Sequence, residues 1–350
     1  MTNSQRGSRS NRGLRARGQI AGVVLHSRLS RVARGALFLV PGVRHNITYP
    51  KPESHISMAA IPRPRRSLLY MPGSNRRALE KARTLPADGL ILDLEDAVAP
   101  EAKESARAIV AAALAEGGFG DRELVLRVNA IDTPWGHADL AAAATMPIDA
   151  VLLPKVEAPD RVSLTGSLLD AFGASERLAV WCMLETPRGI LYAREIAASG
   201  PRLAALVLGT SDLSKDLHAL PTRDRVPLLT CLSLAILAAR AHGLAVLDGV
   251  HLDLSDEEGF AAACRHGRKL GFDGKTLIHP KQIAAANAAF APTKEEIAWS
   301  RRIIAAHGEA AAAGKGVVLV EGRLIENLHV ENAQRLLALA DEIERIANGK

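Results

Sequence analysis

The chain has 350 residues, 48% of them hydrophobic and only 3% aromatic, with a formal net charge of +6. That length can bury a full core, the Ala/Leu/Val/Ile-rich composition favours helix-rich α/β architecture over a β-sandwich, and no apolar run reaches membrane-span length. The charge is concentrated in residues 1–57, which hold nine Arg and one Lys against a single acid, Glu53, so the remainder is net acidic and does not read as a nucleic-acid-binding fold.

Residues 1–60 are rich in Arg and Ser and show no sustained periodicity. The expectation is a disordered basic extension, with the functional start at Met58. A mitochondrial transit peptide and an RNA-touching arm are the alternatives. Cys182, Cys231 and Cys264 are widely spaced and match no zinc or redox pattern. They read as reduced structural thiols, in keeping with a cytoplasmic location and no membrane.

From Arg66 onward, short apolar runs recur: 67–71, 89–92, 124–126, 150–153, 179–184, 206–208, 245–247 and 276–278. Most are separated by Ala/Leu/Arg/Glu-rich stretches long enough for a helix. Continuous apolar strands alternating with helices predict a parallel sheet covered on both faces. Eight such units fit a (β/α)8 TIM barrel over residues 61–292, followed by a helical C-terminal lid over 293–350. A doubly wound open sheet is the alternative. It would carry a Gly-rich phosphate loop after its first strand, and the PGSNRR segment lacks that spacing.

The residues at the exit of each run carry the functional signal. These exits hold Pro72-Gly73-Ser74, then Asp93, Glu95 and Asp96, then Arg127 and Asn129, Lys155, Glu185, Asp212, Asp248, and His279-Pro280. In a barrel all of them converge on one mouth, where active sites of this fold lie. Glu185 and Asp212, each at the exit of a buried strand, suit a hard divalent cation such as Mg²⁺, which takes one or two protein carboxylates and leaves the rest of its shell to substrate and water. Two helix-capping acids would be the plainer reading of the same pair.

The segments RSLLYMPGSNRRALEKA, LDLEDAVAPEAKESAR, LRVNAIDTPWGHADL, VLLPKVE, LETPRGI, GTSDLSKDL, GFDGKTLIHPKQI and VEGRLIENLHVENAQRLL occur in that order. Together they resemble the citrate lyase β-subunit-like family (HpcH/HpaI aldolase/citrate lyase), which includes malyl-CoA, β-methylmalyl-CoA and citramalyl-CoA lyases and malyl-CoA thioesterases. The resemblance runs from Arg66 to about residue 340 and implies a (β/α)8 barrel with a C-terminal lid. It assigns Glu185 and Asp212 to Mg²⁺, and Arg127 to the 2-oxo acid or its carboxylate, a role for which a guanidinium fork is suited. Tyr70, Arg77 and Lys81 match contacts to the CoA thioester, and Asp248 matches a substrate contact. Arg77 and Lys81 read alone would be a solvated helix face.

Glu95, with Asp96, is expected to accept hydrogen bonds from metal-bound water and to orient Arg127. Asp96 equally suits a helix cap. The family's catalytic carboxylate lies in the lid, within a pattern like DGRLID, and is delivered to a neighbouring subunit. Here the matching residue is Glu326, one methylene longer. The resemblance therefore implies a Mg²⁺-dependent carbon–carbon lyase of malyl-CoA or citramalyl-CoA type, working as a homotrimer or homohexamer. A malyl-CoA thioesterase and a citrate lyase β-subunit acting on an acyl-carrier-protein thioester are the alternatives within the family. An RNA-associating barrel that uses its Arg-rich tail is the alternative from another class.

Overall fold

The computed structural model describes residues 63–349, and the expected basic extension over 1–60 lies outside the described residues. Eight strands close into a barrel in sequence order: β1 Ser67–Pro72, β2 Gly89–Asp93, β3 Glu123–Arg127, β4 Ala150–Leu153, β5 Ala179–Leu184, β6 Leu203–Leu208, β7 Ala245–Asp248 and β8 Gly274–Leu277. All neighbours pair in parallel, and β1 closes on β8 through Ser67 opposite Lys275. Parallel neighbours require a crossover. Helices supply it: α1 Arg76–Ala82, α2 Lys103–Glu116, α3 Gly136–Ala143, α4 Pro159–Ala171, α5 Pro187–Leu191, α6 Ala193–Ala197, α7 Thr210–Asp216, α8 Leu229–Ala241, α9 Glu257–Leu270 and α10 Ile283–Phe290.

Strand alternation divides the core in two. Inward residues such as Leu68, Ile91, Val125, Leu152, Trp181 and Val207 fill the barrel, while outward ones such as Leu69, Leu92, Leu126, Val180 and Leu206 pack beneath the helices. Because both faces are buried, most strands read as unbroken apolar runs; β8, with its buried Lys275 and Thr276, is an exception. Trp181 is fully buried inside the barrel, with the Arg65 guanidinium 5.3 Å from its ring. Truncating such a side chain would cost about 3–5 kcal/mol.

The C-terminal segment is an arm of mixed structure. Helix α11 (Lys294–Ala312) opens with a capping box formed by Thr293 and Glu296. A two-stranded hairpin comes next, β9 Val318–Val320 and β10 Arg323–Ile325, and then α12 Asn327–Ala347 returns alongside α11. The hairpin is an addition to the expected all-helical lid. Ile303, Ile325 and Ala333 form a small core of the arm's own, separate from both barrel cores. No helix among the described residues is long and apolar enough to cross a membrane.

Candidate active site

At the exits of β2 and β3 the parallel register sets Asp93 beside Arg127. Each lies two residues beyond an inward side chain, Ile91 and Val125, so both point into the mouth. Arg127 donates from Nε to Asp93 Oδ1 at 2.7 Å and from Nη2 to Oδ2 at 2.6 Å, a bidentate pair almost sealed from solvent. Asp93 also accepts the N–H groups of Glu95 and Ala97. The guanidinium lies 4.9 Å from the Tyr70 ring. Burial works against its charge, but the bonds and attraction of Asp93 hold its pKa above the ordinary arginine value. Burial likewise pushes up the Tyr70 phenol, whose hydroxyl lies 3.7 Å from Met183 Sδ and stays protonated at neutral pH.

The Nη1 edge of Arg127 faces Glu95, with Oε2 at 3.0 Å, and the exposed Asp96 at 3.6 Å. Glu95 Oε1 accepts Lys155 Nζ at 2.7 Å, and burial raises the Glu95 carboxyl above its usual value. The orienting role expected of Glu95 and Asp96 therefore falls chiefly to Asp93. The sequence placed Asp93 among the exit residues, and its signal was its register opposite Arg127, which becomes visible only once the strands are paired.

The carboxylate pair comes from β5 and β6, beyond the intervening β4. Glu185 lies just beyond β5 and is buried; its Oε1 accepts the Lys155 N–H at 2.7 Å. Gly209 lies just beyond β6, directly alongside, and a Cβ there would stand 2.3 Å from Glu185 Cβ and 2.4 Å from Oε2. Glycine thus leaves room for Oε2 to lie toward the β6 exit. Asp212, in the first turn of α7, is half-buried there, with Lys215 Nζ 3.8 Å away. Burial pushes the Glu185 carboxyl up to about 7, outweighing the Lys155 N–H and the charges of Lys155 and Arg127, which draw it down. Among the described residues no group of three or more His, Cys, Asp or Glu side chains converges as a metal cluster. A pair of hard oxygen donors, one of them buried with an oxygen that no hydrogen bond engages among the described residues, fits a cation that completes its shell with water and substrate, as Mg²⁺ does.

Four of the expected site residues sit at the edge of this arrangement or outside it. Arg77 and Lys81 are exposed on α1, one turn apart, and no ion pair engages either among the described residues. Asp248 is not brought into the mouth. Leu247 is its inward neighbour, so Asp248 faces outward, beneath the helices, fully buried. Arg225 Nη1 and Lys275 Nζ bond its Oδ2 at 2.8 and 2.9 Å, and Gly267 of α9 packs so closely that a Cβ would meet that oxygen at 2.9 Å. Glu326 caps α12 on the arm, where its N–H donates to His329 Nδ1 at 3.1 Å. No hydrogen bond or ion pair joins it to the mouth of its own barrel among the described residues.

Beside Lys155 a cleft of about 500 Å³ opens over β3–β5, lined by Ile131, Asp132, Glu157, Arg161, Thr186 and Arg188. A larger cavity of about 630 Å³ lies at the opposite end of the barrel, between the strand starts and α12. The arginines Arg65, Arg66, Arg240 and Arg268 that line it are already paired with Glu123, Asp88, Asp273 and Glu296. Size alone is a poor guide here, because the free oxygen of the buried Glu185 lies at the mouth.

The HpcH/HpaI aldolase/citrate lyase family matches residues 66–280, nearly the whole barrel. The chain belongs to this family. It is 48% identical over 286 residues to a (3S)-malyl-CoA thioesterase of Cereibacter sphaeroides, covering 82% of this chain and 98% of that protein. It is 37% identical over 285 residues to the citrate lyase subunit beta of Leuconostoc mesenteroides, covering 79% and 93% of the two chains. Among solved structures, the CitE protein of Mycobacterium tuberculosis in complex with magnesium, acetoacetate and coenzyme A superposes with a TM-score of 0.65. That match has 32% identity and covers 79% of this chain and 98% of the other.

Proposed function

We propose that this family member is a Mg²⁺-dependent enzyme of short 3-hydroxydicarboxyl-CoA thioesters, and that hydrolysis of a malyl-CoA-type thioester is its principal reaction. The observation that carries this reading is the 48% identity to the (3S)-malyl-CoA thioesterase, which spans that protein almost end to end. Carbon–carbon cleavage, placed first on sequence grounds, becomes the second reading. It is favoured by the similarity to citrate lyase subunit beta and to the acetoacetate-bound CitE.

Both reactions use the same mouth. Glu185 and Asp212 would hold Mg²⁺, which when bound supplies a Lewis acid and a template for the substrate's carboxylate and neighbouring oxygen. Arg127, fixed by Asp93, meets the same carboxylate with its Nη1 edge. Arg77 and Lys81 offer exposed positive charge to the CoA phosphates, and Tyr70 forms the floor beneath Arg127. Asp248 serves the barrel wall and reaches the substrate only through that framework.

Proton transfer completes the chemistry. A carboxylate must take a proton from water during hydrolysis, or from the 3-hydroxyl during cleavage. Glu326 is the candidate, acting on the barrel of a neighbouring copy in a homotrimer or homohexamer. Two features support delivery in trans: the arm has its own core, and the side chains flanking Glu326, Leu319, Leu324 and Leu328, are at least half exposed. The test is malyl-CoA with Mg²⁺ and the products counted. Free malate and CoA support hydrolysis, glyoxylate and acetyl-CoA support cleavage, and no turnover of either kind overturns the proposal.

A further inference from the structure

Lys155, two residues beyond β4, has a φ of +50°, left-handed backbone that a residue with a Cβ seldom adopts. Such strain persists where its surroundings over-determine it, and often marks function. Here the surroundings are identifiable. The left-handed turn aims the Lys155 N–H at Glu185 Oε1, at 2.7 Å, while its Nζ reaches Glu95 Oε1, also at 2.7 Å. The other oxygen of Glu95 stands 3.0 Å from Arg127 Nη1. One residue therefore links the metal carboxylate to the arginine that takes the substrate's carboxylate.

The arginine makes the link matter. Its Nε and Nη2 are engaged by Asp93, so an incoming carboxylate meets the Nη1 edge, where Glu95 and Asp96 already stand. Without a cation on Glu95, that edge offers an anion two carboxylates against one guanidinium already paired. Lys155 supplies the missing charge.

We propose that Lys155 is a positioning residue with two separable roles: its backbone N–H aims Glu185 at the cation, and its ammonium anchors Glu95 so that Arg127 can accept the substrate carboxylate. This rests on the reading that Glu185 and Arg127 bind Mg²⁺ and that carboxylate. The two roles predict different losses. Lys155→Gly accepts the left-handed φ without strain and keeps the N–H, whereas a β-branched valine resists that conformation.

The experiment is calorimetric titration with Mg²⁺ alone, then with pyruvate at saturating Mg²⁺, on the full chain. Losing a charge-assisted bond predicts that Lys155→Gly weakens pyruvate about tenfold or more while Mg²⁺ affinity stays within about threefold of wild type. Its far-UV circular dichroism should match that of wild type, so that the loss reports on the site and not on unfolding. Lys155→Val should weaken Mg²⁺ about tenfold as well, and Lys155→Arg should recover most of the pyruvate affinity. A glycine variant that binds pyruvate as wild type does, or loses Mg²⁺ as the valine variant does, overturns the inference alone. A wild type that binds no Mg²⁺ overturns the parent reading and the inference with it.

Discussion

Glu185 at the β5 exit differs from the buried Asp93 and Asp248, whose two oxygens are both bonded, in having an oxygen left over. Glu185 gives one oxygen to the Lys155 N–H and keeps the other beside Gly209. Glu185→Ala and Asp212→Ala should each abolish Mg²⁺-dependent turnover while the barrel stays folded, as circular dichroism would show. Gly209→Ala tests the same site by shape, since its methyl would overlap Glu185 and swing it out of place. Mg²⁺ affinity should fall about tenfold or more, read by calorimetry, as misplacing a ligand by about an ångström is costly. Asp248 plays the opposite part. Burial alone would raise its pKa, but Lys275 and Arg225 hold it below the usual carboxylate range. Its contribution to stability is therefore complete above the unfolded value of about 3.9 and is lost as pH falls through the lower folded value. Asp248→Asn leaves two cations buried with one neutral partner, at a cost of about 3–5 kcal/mol at neutral pH in urea unfolding. Below the unfolded value of about 3.9, down to the folded one, its stability curve should be flatter than that of wild type.

Elements differed in how plainly the sequence announced them. Most of the barrel strands were legible because parallel strands buried on both faces read as unbroken apolar runs, and the strand exits placed Glu185, Asp212, Arg127 and Glu95 at one end. The same unbroken pattern hides which face each residue takes, so Asp248 at the end of β7 could not be told from a mouth residue by its type. Asp93 carried the converse problem: its role depends on pairing with Arg127 across the ladder, a long-range relation. The hairpin of the arm was hidden by its turn. Glu321 and Gly322 both have positive φ, at 51° and 77°, as a two-residue type I′ turn requires. Asn or Asp is the usual first residue there, and three-residue strands leave no periodicity to detect. The hairpin leads straight into Glu326 at the start of α12. Glu326→Gln should lower kcat by about 10²–10⁴, the range for loss of a positioned acid–base group, with Mg²⁺ and pyruvate affinities unchanged in calorimetry.

At the scale of the whole molecule, the barrel holds the proposed binding groups and the arm holds the candidate proton carrier, with no hydrogen bond or ion pair joining Glu326 to its own mouth among the described residues. The proposed function therefore calls for a division of labour between copies. A mixture of Glu185→Ala and Glu326→Gln chains, each inactive alone, should regain activity when co-expressed, because some mouths would then pair an intact barrel with an intact arm. Activity confined to the wild type would place proton transfer within a single copy. The most direct measurement of the central claim is product analysis of malyl-CoA turnover by the purified full chain, with Mg²⁺ and again after removal of divalent cations with EDTA. Malate and CoA should appear in the presence of Mg²⁺, disappear after chelation, and return when Mg²⁺ is restored. Turnover that continues undiminished in EDTA would contradict a Mg²⁺-dependent reaction at Glu185 and Asp212.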